Sequence, residues 1–115
     1  MAKKEMEFFK VDGIPWTKCE GPVDGLTERI LSRDALSGVA TRMLKFNPGC
    51  DTTPNGVQKH DFWEEVYILD GEFYDISLGK RFSAGMYACR PPGMPHGPWQ
   101  SKNGCMTFEV RYKKQ

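Results

Sequence analysis

Short runs of β-type residues, broken every few positions by glycine or proline, set the rhythm of this chain. Its 12 glycines and 8 prolines punctuate segments too short for long helices, the pattern of an all-β sandwich or barrel. Residues 7–11 and 14–19 read as two strands parted by Asp12-Gly13. The stretch ERILSRDAL admits a helical turn by propensity, but 27–31 is expected to be a strand leading into a loop over 32–38. Residues 39–46 form the next strand, stopped at Asn47-Pro48-Gly49, and 50–57 is a polar loop. Residues 62–69 are the central strand, and Asp70-Gly71 predicts a tight hairpin back into 72–75. Short strands follow near Arg81 and over 85–89, and a last hairpin joins 98–101 to 105–112 through Asn103-Gly104. That final strand alternates cleanly: Met106, Phe108, Val110 and Tyr112 on one face, Thr107, Glu109 and Arg111 on the other. One face is expected to be core, and the polar one to meet either solvent or a polar cavity.

With 115 residues and no repeat or linker, one domain over 1–115 is expected. Sixteen basic and 15 acidic residues leave a formal charge of +1, which gives no electrostatic reason for a nucleic-acid or membrane partner. Lys3-Lys4 and Lys113-Lys114 read as solvated termini. No apolar run approaches the roughly 20 residues of a membrane helix, and MAKKEMEFF lacks the apolar segment of a secretory signal. Cys19, Cys50, Cys89 and Cys105 form no CxxC pair, so four reduced thiols in a cytoplasmic protein are expected.

Both histidines of the chain sit in unusual surroundings. His60 is followed by the carboxylate pair Glu64-Glu65, and His96 ends a turn-rich segment holding Gly85, Pro91, Gly93 and Pro95. If 58–68 is extended, Gln58, His60, Phe62 and Glu64 share a face that Val66 and Ile68 continue, while Trp63, Glu65 and Tyr67 point away. Ligand-capable groups on a face that turns apolar suit a metal site at a barrel mouth, because imidazole and carboxylate are ligands that leave positions open for chemistry. Taken singly, each histidine is also explained as a loop-end imidazole in water, and His96 as a cap on the turn after Pro95. Phe62, Val66 and Ile68 read as an apolar pocket lining. Arg90 and Cys89 lie on opposite faces; an arginine in the cavity suits an anionic or carbonyl substrate, and a salt bridge is the plainer role. Cys89, Cys105, Met86 and Met94 read as packing residues, and Trp16, Trp63 and Trp99 as core or dimer contacts.

These residues resemble the cupins. Gly85-x5-Pro91-x-Gly93-x2-His96 follows the family's second motif at every spacing, with Gln100 where the family has asparagine. His60-x3-Glu64-x6-Gly71 follows the first motif, but Gln58 stands where the family has its first histidine, and eight residues rather than five separate it from Gly49. EEVYILDGEF, then GMY, RPPG, PHGP and GC, is similar to anti-sigma-factor cupin domains and acetylacetone-cleaving dioxygenases. The resemblance implies a single-domain jelly-roll barrel (motifs at 58–71 and 85–100) that binds one divalent metal. His60, Glu64 and His96 would be the ligands, and Gln58 a weak fourth. Fe(II) is favoured, with Zn, Mn or Ni as alternatives. It implies a small-molecule substrate, and Fe(II)-dependent dioxygenase cleavage of a diketone or enol as the leading activity. A non-catalytic metal- or ligand-binding sensor and a non-oxidative isomerase or lyase are the alternatives. It also implies a homodimer formed through the N-terminal region, where Phe8, Phe9 and Trp16 would supply a buried contact.

Overall fold

The computed structural model describes residues 3–113. Among the described residues nine strands carry the fold: β1 (Thr17–Lys18), β2 (Leu26–Arg33), β3 (Ala40–Phe46), β4 (Cys50–Asp51), β5 (Trp63–Asp75), β6 (Lys80–Ser83), β7 (Tyr87–Arg90), β8 (Trp99–Ser101) and β9 (Cys105–Tyr112). They pair antiparallel in the order β1-β2-β3-β9-β5-β8-β4, with β6 and β7 also bonded to β5. The all-β jelly-roll expectation holds.

The 13-residue β5 organises the rest. Its first half pairs with β9 on one side and β7 on the other; its second half pairs with β6 and β8. One strand thus belongs to two layers, and the irregularity between them lies at Ile68–Asp70, where the register with β9 shifts. This corrects the hairpin expected at Asp70-Gly71. The chain passes straight through, because Gly71 (φ 77°) lies against β9, and a Cβ there would come within 2.1 Å of the Gly104 carbonyl oxygen. Positive φ is what a hairpin and a bulge both demand of glycine; only the distant Gly104 distinguishes them. The final hairpin is also corrected. β8 and β9 are consecutive in sequence but flank different halves of β5.

Elsewhere the pattern was legible within a residue or two. β2 runs longer than expected, and the loop 50–57 contains β4 and a 3-10 turn, Thr53–Asn55. The N-terminal strand expected over 7–11 is absent: Val11–Gly13 is a 3-10 turn, and the strand expected over 14–19 shortens to β1.

The interior is graded. At one end Val23, Leu26, Leu44, Phe46, Cys50, Ile68, Phe73 and Cys105 form the apolar core. Phe73 is its hub, edge-on to Phe46 (ring centres 5.4 Å apart) and packed on Trp99 (5.7 Å). At the other end the inward positions are charged. Arg42 shares the inner face of β3 with Ala40, Leu44 and Phe46, and Thr107 and Glu109 of β9 are buried while Met106, Phe108 and Val110 are only half-buried. Of the two readings left open for β9, the polar cavity is the one found. Trp16 lies under Arg29 and Lys45 rather than in the core, and Trp63 stacks on Tyr112.

Gly71→Ala is expected to cost about 3 kcal/mol or more, combining left-handed backbone strain with forced overpacking against Gly104. Gly38→Ala, with similar φ but open space around it, is expected to lose only about 1 kcal/mol. Urea unfolding of the two variants checks the difference.

Candidate metal centre

Glu64 lies directly across from Arg111 on β9 and from Arg90 on β7. Directly opposed residues share a face, so both guanidinium groups reach it: Arg111 Nε donates to Oε2 at 2.9 Å and Arg90 to Oε1 at 3.1 Å. Deeper in, Arg42 is clamped between Glu28 (2.7 Å) and Glu109 (2.9 Å), and Thr107 donates to Glu109. Three arginines and three glutamates therefore balance inside the barrel.

The histidines arrive on irregular backbone ahead of β5 and after β7. Gln58 and His96 exchange backbone hydrogen bonds of 2.7 and 3.0 Å, and the Gly93 N–H donates to the His60 carbonyl at 2.8 Å. Glycine at 93 (φ 82°) allows the turn that makes this latch. Sequence reasoning placed 58–62 on an extended face. Only Gln58 pairs in that way, yet His60 still arrives beside Glu64. The His96 Nδ1 lies 3.1 Å from the Met94 carbonyl oxygen, which can only accept, so Nδ1 carries the proton and neutral His96 presents an Nε2 lone pair. That Nε2 is 3.2 Å from His60 Nε2 and 3.8 Å from Glu64 Oε1. One ligand atom from each of His60, Glu64 and His96 lies within 4.8 Å of the others.

Protonation states suit a cation. Burial holds His96 below its ordinary value, with Arg90 adding to the effect; burial also lowers His60, against the opposing pull of Glu64. For Glu64, burial alone would favour the neutral acid, but Arg111 and Arg90 outweigh it and keep the carboxylate ionised. Each carboxylate oxygen has more than one acceptor direction, so the arginine bonds leave room for a metal. Two neutral imidazoles and one carboxylate converging in a polar cavity fit a divalent first-row metal, and these three residues could hold one.

The remaining expected residues are placed as follows. Gln58 lines the cavity, but its Nε2 donates to the Asn55 carbonyl at 2.6 Å. Phe62 stacks on His60 (ring centres 4.5 Å apart) and borders neither cavity described below. Val66 and Ile68 are buried, and Arg90 points inward while Cys89 is exposed. Glu65 is on the outer face as expected, where it accepts from Tyr87 and Tyr112. All four cysteines are free. Burial pushes the Cys19 thiol up to about 11 and Cys105 to about 12, so both are neutral thiols at neutral pH in the metal-free protein.

Two cavities adjoin the triad. A polar one of about 180 Å³ is lined by His60, Glu64, His96, Gln58, Arg42 and Arg111, among others. An apolar one of about 270 Å³ is lined by Val57, Ile68, Leu78, Phe82, Met86 and Met94, among others. Arg90, His96, Val66 and Phe73 belong to both walls. Arg42, Arg111 and Glu109 were not named as site residues from sequence, although one signal was present: Arg42 sits in the middle of an apolar alternation on β3.

The antiparallel β-barrel with His60, Glu64 and His96 gathered inside it agrees with a cupin. Residues 4–114 match the family described as the ChrR cupin-like domain, and the chain belongs to it. No curated protein matches it by sequence at a significant level. Among solved structures, an RmlC-like cupin from Shewanella frigidimarina superposes with a TM-score of 0.75 at 20% identity, covering 100% of this chain and 96% of that one. The polyketide cyclase RemF from Streptomyces resistomycificus gives 0.72 at 19%, covering 93% and 79%. An acetylacetone dioxygenase from Acinetobacter johnsonii gives 0.71 at 16%, covering 92% and 73%. At these identities the likeness is one of fold.

Because both histidines resist protonation when folded, the unfolded chain binds more protons below the ordinary histidine value of 6.5. The metal-free protein should therefore hold its full histidine contribution above that pH and lose it as pH falls through the lowered folded values. Thermal melts between about pH 7.5 and 5.5 should show a declining Tm, with a flatter profile in a His60→Gln, His96→Gln variant.

Proposed function

We propose that this chain is a metal-dependent enzyme acting on a small organic substrate, an Fe(II) dioxygenase that cleaves a diketone or its enol. The observation that carries the reading is the convergence of His60, His96 and Glu64 beside a cavity large enough for a ligand. Two histidines and one carboxylate match the facial ligand set of non-haem iron oxygenases. A ferrous ion held there supplies Lewis-acid polarisation of the substrate oxygens and one-electron chemistry toward O2.

The chain's own residues do the rest. The Met94 carbonyl fixes the tautomer and orientation of His96, and Arg111 anchors Glu64. Arg90, placed over the Trp99 ring and between the cavities, is positioned to donate to an enolate oxygen. Val66 and Phe73, shared by both walls, keep water from the reacting carbon. Gln58, tied to Asn55, orients the cavity wall rather than adding charge. The fold shared with an acetylacetone dioxygenase supports a scaffold able to carry such chemistry; fold alone does not fix it.

A second reading, a non-catalytic ligand-binding module, is favoured by one observation: Arg90 and Arg111 already satisfy Glu64 without an ion. A non-oxidative isomerase or lyase is the third, and it would turn over anaerobically.

Metal-free protein loaded with Fe(II) should bind about one iron per chain and consume O2 with at least one member of a panel of β-diketones and dihydroxyaromatics. His60→Ala and Glu64→Ala should each lower the rate by about 100-fold or more. Iron bound without O2 uptake across the panel would sink the dioxygenase reading, and a melting shift without turnover would support the binding module. The homodimer is also proposed: Phe8 is fully exposed and Phe9 half-exposed ahead of β1. A monomeric mass by light scattering would refute it.

A further inference from the structure

Resting on the metal-site reading above, we propose that the ligand is an amphipathic monoanion. Its carboxylate or enolate head lies between Arg90 and the His60–Glu64–His96 triad, and its hydrocarbon body fills the second, apolar cavity. Three features point to this occupant.

The first is charge. Arg42, Arg90 and Arg111 are balanced by Glu28, Glu64 and Glu109. A divalent cation added to that cluster outweighs even the further buried carboxylate of Asp75 on the adjoining wall and leaves excess positive charge in a largely buried space, where an uncompensated charge is costly. A ligand that brings negative charge to the metal offsets it; a neutral one does not. The second is a donor at the junction. Arg90 lines both cavities, donates to Glu64 at 3.1 Å and lies over the Trp99 ring (5.3 Å). The further N–H groups of a guanidinium held there favour an acceptor-rich head group.

The third is the apolar cavity itself. It shares Arg90 and His96 with the polar one, so a molecule can have its head at the triad and its body among Ile68, Phe82, Met86 and Leu78. Leu78, Met86, Met94 and Val57 all line it and are exposed large apolar residues. They give the entrance an apolar rim, which suits a hydrocarbon more than a sugar or a nucleotide. Asp75, buried at the far end of β5 and also on this wall, puts a carboxylate where a second anionic group would be repelled. The cavity therefore selects against dicarboxylates.

Zn(II)-loaded protein, which binds without oxidising, should be titrated calorimetrically with straight-chain carboxylates from acetate to octanoate, their primary amides and the matching dicarboxylates. Affinity should rise about threefold to fourfold per methylene until the cavity is full. Amides and dicarboxylates should bind at least about tenfold more weakly than the monocarboxylate of equal length. Ala88→Phe, which fills the apolar cavity from β7, should flatten the chain-length dependence and leave acetate binding unchanged. Leu78→Glu, at an exposed rim position that leaves the core untouched, should do the same to the longer acids if the first variant does not fold. Affinity independent of chain length, or amides equal to acids, overturns the proposal. The same titration on metal-free protein separates the two readings. A chain-length dependence that survives there, in a protein that takes up no metal, keeps this inference and removes the metalloenzyme. Metal bound with no chain-length dependence does the reverse.

Discussion

The interior of this barrel depends on a carboxylate that cannot be left alone. Glu64 is 3% exposed, and a charge so far from water survives only if partners replace its hydration. The partners come from the strands on either side: Arg111 from β9 and Arg90 from β7. That requirement fixes the register of three strands at once, since a slip of one residue would turn either arginine outward. It also sets the inner face of β9, whose apolar residues face outward while Thr107 and Glu109 go in. Hydrophobic burial alone would have chosen the opposite face. The ion-pair network overrides it because Glu109 and Arg42 answer each other from adjacent strands.

What could be read from the sequence was whatever depends on local periodicity. Strand parity placed Glu64, Val66 and Ile68 inward and Glu65 and Tyr67 outward, and the turn residues marked most strand ends. The spacing around His60 and His96 located the candidate site. What escaped was long-range. Asp70-Gly71 looks like a hairpin turn because glycine with positive φ serves hairpins and bulges alike. The answer lay in Gly104, which sequence does not place beside it. Likewise 98–101 and 105–112 look like a hairpin, but each finds a better partner in a different half of β5. Residues 7–11 have the composition of a strand but form no strand pairing in the fold. Arg42, Arg111 and Glu109 escaped for a related reason: charged residues are ordinarily solvent-facing, and only the fold shows three of each sign gathered inside.

The two cavities are a product of the same gradient. Where β5 crosses from one layer to the other, its inward residues change from Glu64 to Val66 and Ile68, and the space beside them changes from polar to apolar. Arg90 and His96 stand at that boundary because β7 ends there and the loop after it turns back over the triad. The site thus has a chemical end and a packing end, joined without an intervening element.

The latch between the two histidine segments gives the site a particular mechanical character. Gln58 and His96 hold each other by a pair of backbone bonds, and Gly93 holds the carbonyl of His60, so main chain joins the two histidine segments to each other. The imidazoles meet at 3.2 Å, but this main-chain latch does not pass through them. They can be exchanged without removing the main-chain latch, and side chains lining the pocket can diverge while the frame that presents them stays the same. A barrel built this way lends itself to changes of chemistry over evolutionary time, because the part that varies and the part that holds are made of different atoms.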